Sequence, residues 1–249
     1  MIEILRARSR QGYRTMAYPD GPAPEMSARF AGMPELTPGS CGVDCRVCEA
    51  TCPTDAITVD VCGPRLDLGR CIFCGKCQDV CPTRSIRFGR DFRLASSTRD
   101  ELIVGAGRTS SGTVVPNVAH TRLFRRSLKL RQVSAGGCNA CEADTNVLGT
   151  LAWDLGRFGI QFVASPRHAD GILVTGPVTA NMELALRKTY AAIAHPKLVI
   201  AVGACAISGG LFESHEETYK GVADILPVDL VIPGCPPHPS TILDGLLQL

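Results

Sequence analysis

Thirteen cysteines in 249 residues constrain this chain more than any other feature, because ten of them fall into close spacings that pack thiols together. Cys71, Cys74, Cys77 and Cys81 follow C-x2-C-x2-C-x3-C and are closed by Pro82. Cys41, Cys45, Cys48 and Cys52 repeat the pattern upstream and are closed by Pro53, with one extra residue in the first gap. The repeat extends beyond cysteine, since CPTDAITVD aligns with CPTRSIRFG and Ile57 matches Ile86. Nothing at the N-terminus reads as a secretion signal, and no stretch approaches the roughly 20 apolar residues of a membrane span. A reduced compartment is therefore expected, where clustered cysteines mean metal rather than disulfides.

The run C-x2-C-x2-C-x3-C-P is that of bacterial ferredoxins. Three thiolates on one tight loop cap three irons of a cubane, and the fourth ligates the other cluster. The fourth cysteine is expected to start a helix whose first turn holds the proline. Crossed ligation follows: Cys41, Cys45, Cys48 and Cys81 for one 4Fe-4S cluster, and Cys71, Cys74, Cys77 and Cys52 for a second. Zinc also takes four thiolates, but its sites use separated C-x2-C knuckles rather than interleaved runs. Cys62 belongs to neither run and is expected as a small buried hydrophobe.

Past a Ser-, Thr- and Gly-rich stretch the pattern changes. A C-x2-C pair, Cys138 and Cys141, is followed by alternating helices, expected at 146–157 and 180–194, and apolar strands such as GILVTG and KLVIAVGAC. Near-continuous apolar strands between helices predict a parallel sheet covered on both faces. Two of the strands end at Cys205 and Cys235, at the carboxyl edge where such sheets bind ligands. The expected organisation is a two-cluster α+β ferredoxin domain with a basic N-terminal arm over 1–92, a linker over 93–132, and an α/β, flavodoxin-like domain over 133–249. Gly-rich GAGRTSSG at 105–112 is expected to be connector rather than a phosphate loop, because no strand leads into it.

The pieces GCNACE, SPRHADGILVTGPVT, GACAISGG and GCPPHP resemble the small subunit shared by nickel–iron hydrogenases and respiratory complex I, the 20 kDa-type subunit. The first domain resembles the two-cluster ferredoxin subunit of the same complexes, and ARSRQGYRTMAYP resembles the arm that precedes its motifs. Those subunits are normally separate chains. The resemblance implies a third 4Fe-4S cluster on Cys138, Cys141, Cys205 and Cys235, beside the active site of a partner large subunit. The two residues between Cys138 and Cys141 match the hydrogenase form, whereas complex I subunits carry two adjacent cysteines. This favours the membrane-bound, energy-converting (group 4) branch, formate hydrogenlyase-like complexes included. Three clusters in series would carry electrons, with a complex I-like quinone-reducing wire as one alternative and an iron–sulfur sensor or scaffold as another. A catalytic nickel site needs a second C-x2-C pair of its own kind, so no residue here is expected to be catalytic. The implied partners are a nickel–iron-type large subunit, membrane-embedded complex I-like subunits, and an upstream donor such as a formate dehydrogenase or a ferredoxin. The implied location is peripheral, on the cytoplasmic side of the inner membrane.

Several polar residues have two readings. Glu142 either relays protons or tunes the third cluster, or is a helix-start carboxylate. His238 either bonds a cluster sulfur or titrates with it, or is a surface histidine at a subunit interface. His168 and Asp170 are expected to fix a turn. Arg6, Arg8, Arg10 and Arg14, and the segment RLFRRSLKLR at 122–131, suit docking onto membrane-embedded partners. With only Tyr13 and Phe124 among these charges, no nucleic-acid role is expected. Three cubanes set the first measurable expectation. The purified chain should hold about twelve irons and twelve acid-labile sulfides, and a count near eight, or zinc in place of iron, would contradict the ligand sets.

Overall fold

The computed structural model describes residues 2–37, 41, 45–105, 124 and 127–249. In the N-terminal half the two cysteine repeats build the same unit twice. Helix α2 (Val47–Thr51) leads through Cys52 to strand β2 (Ile57–Asp60), and helix α3 (Lys76–Val80) leads through Cys81 to strand β4 (Ile86–Phe88). The fourth cysteine of each run ends a helix instead of starting one. Cys52 and Cys81 are extended, at φ −73° and −72°, because a residue before proline is forced out of the helical region. The prolines therefore open turns into strands. Strand β1 (Pro34–Leu36) pairs antiparallel with β4, and β2 pairs with β3 (Gly63–Asp67), which pairs with β5 (Ile103–Gly105).

Five parallel strands form the C-terminal half: β6 (Leu128–Ser134), β7 (Ile160–Phe162), β8 (Gly171–Thr175), β9 (Leu198–Val202) and β10 (Leu230–Ile232), in the order β7-β6-β8-β9-β10. Counted within the sheet this is 2-1-3-4-5, the doubly wound order of flavodoxin-like folds. Every residue of β8 and β9 is buried, as a sheet covered on both faces requires. Helices α4 (Ala140–Val147), α5 (Ala180–Ala191), α6 (Ala204–Ser208) and α7 (Pro239–Leu247) complete the layers. The helix expected at 146–157 thus lies at 140–147. Gly149 and Gly156 weaken helix beyond it, Asp154 is left-handed at φ 47°, and only a 3-10 turn follows at 155–158.

The stretch expected as linker carries structure at both ends. Leu94 and Ala95 are buried, Ser96 exchanges two backbone hydrogen bonds with Val231, and β5 joins the first domain's sheet. At the other end, Leu128 and Leu130 of the expected basic docking segment are core residues of the internal strand β6, because β6 is paired on both sides. Of GAGRTSSG only Gly105 is described, and most of the basic segment before β6 also lies outside the described residues.

The halves are packed as one body. One apolar cluster runs from Leu66, Leu68 and Cys71 to Val133, Ile207 and Val231. Ser208 Oγ donates to the Gly69 carbonyl at 2.9 Å, and Arg70 pairs with Glu213. Gly69 has no room for a side chain, since a Cβ there would lie 2.7 Å from the Arg99 guanidinium and 2.8 Å from Ile207. The N-terminal arm crosses to the far half. Thr15 and Met16 bond the carbonyls of Leu151 and Ala152, Met16 and Tyr18 pack on the second core, and the Tyr18 hydroxyl donates to buried Asp244. Ahead of the arm, helix α1 (Ile2–Gln11) buries nothing and exposes Ile2, Ile4 and Leu5 among its arginines.

Removing the Tyr18 hydroxyl should leave Asp244 short of a donor in a buried site. Tyr18→Phe, which keeps the edge-on ring contact with Phe92, should lower stability by about 1–3 kcal/mol in thermal unfolding and speed proteolysis near residue 20. Unchanged stability and cleavage would mean that this contact does not hold the arm.

Candidate iron–sulfur sites

The carboxyl edge of the parallel sheet is built to bring four cysteines together. After β6 the chain turns through Gly136 at φ +89° and Asn139 at φ +70°, which places Cys138 in the turn and Cys141 in the first turn of α4. After β9, Gly203 at φ +92° leads into α6 and Cys205. After β10, Gly234 at φ +150° precedes Cys235. A Cβ on Gly203 would sit 2.6 Å from Cys141 Sγ, so only glycine leaves room for that sulfur. Gly137 and Gly176 meet back to back where the strand order reverses; a Cβ on Gly176 would lie 2.5 Å from the Gly137 nitrogen.

Cys141 lies within electrostatic reach of Cys205, Cys235 and Cys138, and Cys205 of Cys235 and Cys138. Burial, reinforced by these neighbours, pushes the Cys141 thiol far up and the Cys205 thiol up to about 11. Thiols held up in this way do not ionise together on their own. A bound cationic core reverses that, because thiolate is the ligand form and metal binding displaces the proton. The donor set therefore fits an iron–sulfur cluster.

The N-terminal cysteines lie near one another across the two repeats, and Cys77 is within reach of Cys52, Cys74 and Cys48. Cys48 is within reach of Cys81 and Cys41. Cys71 is within reach of Cys77, Cys52 and Cys74, and these four share a cavity with Ile57 and Phe88. Burial pushes Cys71 far up and Cys77 up to about 11. Cys41 Sγ lies 3.7 Å from Ser85 Oγ, beside Cys81. Cys45 is half-buried, and residues 42–44 next to it lie outside the described residues. Among the described residues no three His, Cys, Asp or Glu converge closely enough to hold one metal ion. Cys62, expected to be buried, is instead exposed at the β2–β3 turn, where its N–H donates to Asp60 at 2.8 Å.

Glu142 is buried beside Cys141. Burial alone would raise its carboxyl, but hydrogen bonds from Ser134 and Thr175, the latter at 2.6 Å, hold it below the usual carboxylate range. It anchors the loop as well as starting α4. His238 is half-buried rather than on the surface. It caps α7 by accepting the Ser240 N–H at 3.1 Å, stands edge-on to Phe30 and Trp153, and shares a cavity with Cys235, Asp144, Ile72 and Phe73. His168 ends a 3-10 turn and Asp170 holds the Lys129 N–H at 2.7 Å. Both precede β8, at the amino edge of the sheet, opposite the cysteines.

Sequence inspection passed over the hydroxyls next to the sulfurs: Thr54 near Cys52, and Thr83 and Ser85 near Cys81. The repeated Cys-Pro-Thr could have marked the threonines. Nothing local in sequence marks Thr175.

Comparison with known proteins follows the same division. Residues 138–249 match the family described as NADH ubiquinone oxidoreductase, 20 Kd subunit, and residues 64–87 match the 4Fe-4S binding domain. An uncharacterized protein of Methanocaldococcus jannaschii is 46% identical over 131 residues, covering 51% of this chain and 86% of its own length. The probable membrane-bound hydrogenase subunit mbhJ of Pyrococcus furiosus is 42% identical over 126 residues, covering 51% of this chain and 75% of its own. An NADH-quinone oxidoreductase subunit of Phocaeicola vulgatus is 46% identical over 112 residues, covering 45% of this chain and 57% of its own.

The position of Cys41 beside Ser85 and the exposure of Cys62 make opposite expectations. Cys41→Ser should damage one cluster of the N-terminal half, seen as a loss of iron and a changed paramagnetic spectrum. Cys62→Ser should leave iron content and spectrum intact, and loss of a cluster from Cys62→Ser would show that the nine N-terminal cysteines are divided wrongly.

Proposed function

The chain belongs to the NADH ubiquinone oxidoreductase 20 Kd subunit family, and from that premise we propose that it is the electron-transfer subunit of a membrane-associated, complex I-related oxidoreductase. It holds three 4Fe-4S clusters, ligated by Cys41, Cys45, Cys48 and Cys81, by Cys71, Cys74, Cys77 and Cys52, and by Cys138, Cys141, Cys205 and Cys235. When bound, these clusters supply one-electron carriers. The chain contributes thiolates, burial and fixed spacing, and no catalytic residue of its own.

One observation carries this reading: cysteines more than 90 residues apart in sequence gather at one carboxyl edge, and the loop of the second N-terminal set is docked against it. Gly69 and Arg70 of that loop bond Ser208 and Glu213 around α6, and Ile72 and Phe73 line the same cavity as Cys235. The set on Cys52, Cys71, Cys74 and Cys77 is then the neighbour of the C-terminal set, and the set on Cys41, Cys45, Cys48 and Cys81 lies at the outer end. Cys138 and Cys235 are exposed at the sheet edge, where a large subunit can cover them. Nearness to that edge makes the C-terminal set the exit toward the final acceptor.

Within the family, the two residues between Cys138 and Cys141 support a hydrogenase partner with a nickel–iron centre, of the formate hydrogenlyase-like kind. The likeness to the Pyrococcus subunit supports the same branch. The comparable likeness to the Phocaeicola NADH-quinone oxidoreductase subunit favours a second reading, in which the same wire feeds a quinone-reducing large subunit. Membrane-embedded complex I-like subunits would hold the complex at the cytoplasmic face, with a formate dehydrogenase, ferredoxin or similar module as donor. Exposed apolar residues and arginines on α1 suit that peripheral place, and among the described residues no helix is long and apolar enough to cross a membrane.

The order of the wire is tested by Cys235→Ser in the assembled complex. Donor electrons should still reduce the two N-terminal clusters while transfer to the final acceptor stops. N-terminal clusters that stay oxidised with donor present would mean that electrons enter elsewhere.

A further inference from the structure

Where the loop of the inner set meets the C-terminal half, one contact differs in kind from the others. Gly69 lies just before Cys71, and Ser208 closes α6, about one helical turn after Cys205. Ser208 Oγ stands 2.9 Å from the Gly69 carbonyl and 3.1 Å from the Ala204 carbonyl. A serine hydroxyl has one proton to give, and burial decides where it goes. Gly69 and Ser208 are both buried, and among the described residues no other donor reaches the Gly69 carbonyl. An α-helix gives the Ala204 carbonyl an amide of its own, four residues on. A buried carbonyl left without a donor is costly, so the proton is committed to Gly69.

The frame on each side of this bond is fixed. The Gly69 N–H donates to Asp67 Oδ1 at 2.9 Å, and Arg99 pairs with the same carboxylate. Across the bond, Gly209 is left-handed at φ +79°, and its N–H donates to the Cys205 carbonyl at 2.9 Å. A continuous bonded route therefore joins the two sets. It runs from Cys71 back through Arg70 to the Gly69 carbonyl and across the hydroxyl to Ser208. From there it passes to the Gly209 N–H and over a second hydrogen bond to Cys205.

Other approaches between the same parts lack this continuity. Ile72 and Phe73 share with Cys235 a cavity of about 310 Å³, and among the described residues no hydrogen bond crosses it. Arg70 pairs with Glu213, but that carboxylate lies well past Cys205 and reaches it only by a longer covalent detour. Electron tunnelling falls off less steeply along covalent and hydrogen bonds than across empty space, so the bonded route is favoured.

Resting on the ligand sets proposed above, we propose that the Ser208 hydroxyl is the bridge over which an electron passes between the cluster on Cys52, Cys71, Cys74 and Cys77 and that on Cys138, Cys141, Cys205 and Cys235. One electron leaves the inner cluster and the C-terminal cluster gains it. No bond forms or breaks, and the hydroxyl proton stays on Ser208.

Two measurements on the full chain test this. Pulsed electron paramagnetic resonance on the fully reduced protein reads the spacing of the two clusters from their dipolar coupling. Radiolysis of the oxidised protein in frozen solution then adds a sub-stoichiometric dose of electrons. Stepwise warming lets them redistribute between the inner and C-terminal signals, which Cys74→Ser and Cys235→Ser identify. Ser208→Ala should leave dipolar coupling and iron content unchanged and make the redistribution several-fold slower. Ser208→Thr, which keeps a hydroxyl, should redistribute near the unmodified rate. Unslowed redistribution in Ser208→Ala would overturn the inference. So would slowing accompanied by a weaker dipolar coupling or a lost signal, because Ser208 would then hold the halves in place rather than carry the electron. Slowing that Ser208→Thr does not relieve would overturn it as well. An unmodified chain lacking either signal would instead overturn the cluster assignment, and this inference with it.

Discussion

Burying sulfur where it must carry charge is the constraint on which the rest of the structure depends. Cys71, Cys77, Cys141 and Cys205 are thiols that burial and neighbouring sulfurs hold neutral. They become ligands only if a positively charged core arrives and the surrounding backbone is already shaped for it. The shaping is done by positions without side chains, such as Gly203 beneath Cys141 and the Gly137–Gly176 contact. It is also done by amides aimed at sulfur, Ala56 at Cys52, Phe73 at Cys71 and Ser85 at Cys81. Parallel-sheet topology then does at large scale what the ferredoxin loop does locally, since strand ends from distant parts of the chain share one edge.

Spacing between sites is fixed by packing rather than by covalent proximity. The loop carrying Cys71 is tied to α6 through Gly69, Arg70 and their partners, and the arm through Tyr18 clasps the opposite side of the second half. A shared apolar cluster fills the space between. Small shifts of a redox site change transfer over distance, so a flexible linker between two independent domains would serve the wire badly. That is a physical reason for Phe92, Leu94, Ala95 and Ser96 to be buried and for Ser96 to pair with Val231.

Much of this was legible in sequence where chemistry is written locally. Cysteine spacing announced that thiols of the two runs come near one another, as Cys48 does to Cys81 and Cys71 to Cys52, and apolar runs ending at Cys205 and Cys235 announced the parallel sheet and its edge. What escaped depends on tertiary context. Leu128 and Leu130 look like the apolar side of a basic docking segment, but a seven-residue run with alternating burial also suits the internal strand they form. Cys62 resembles a core residue by type, and only the β2–β3 pairing shows it at a turn. The fourth cysteines end helices because of the prolines after them, a rule readable in advance but outweighed here by expecting proline at a helix start. His238 passed for a surface residue because Phe30 and Trp153, which flank it, lie far away in sequence.

The central claim is that the inner N-terminal site, and not the outer one, adjoins the site at the carboxyl edge. Pulsed electron paramagnetic resonance on the fully reduced protein measures it through the magnetic coupling felt by the C-terminal cluster. The account expects that coupling to collapse when Cys74→Ser alters the inner cluster and to persist when Cys45→Ser alters the outer one. Coupling that survives Cys74→Ser and disappears with Cys45→Ser would contradict the docking of the Cys71 loop against α6 as the path of the electron.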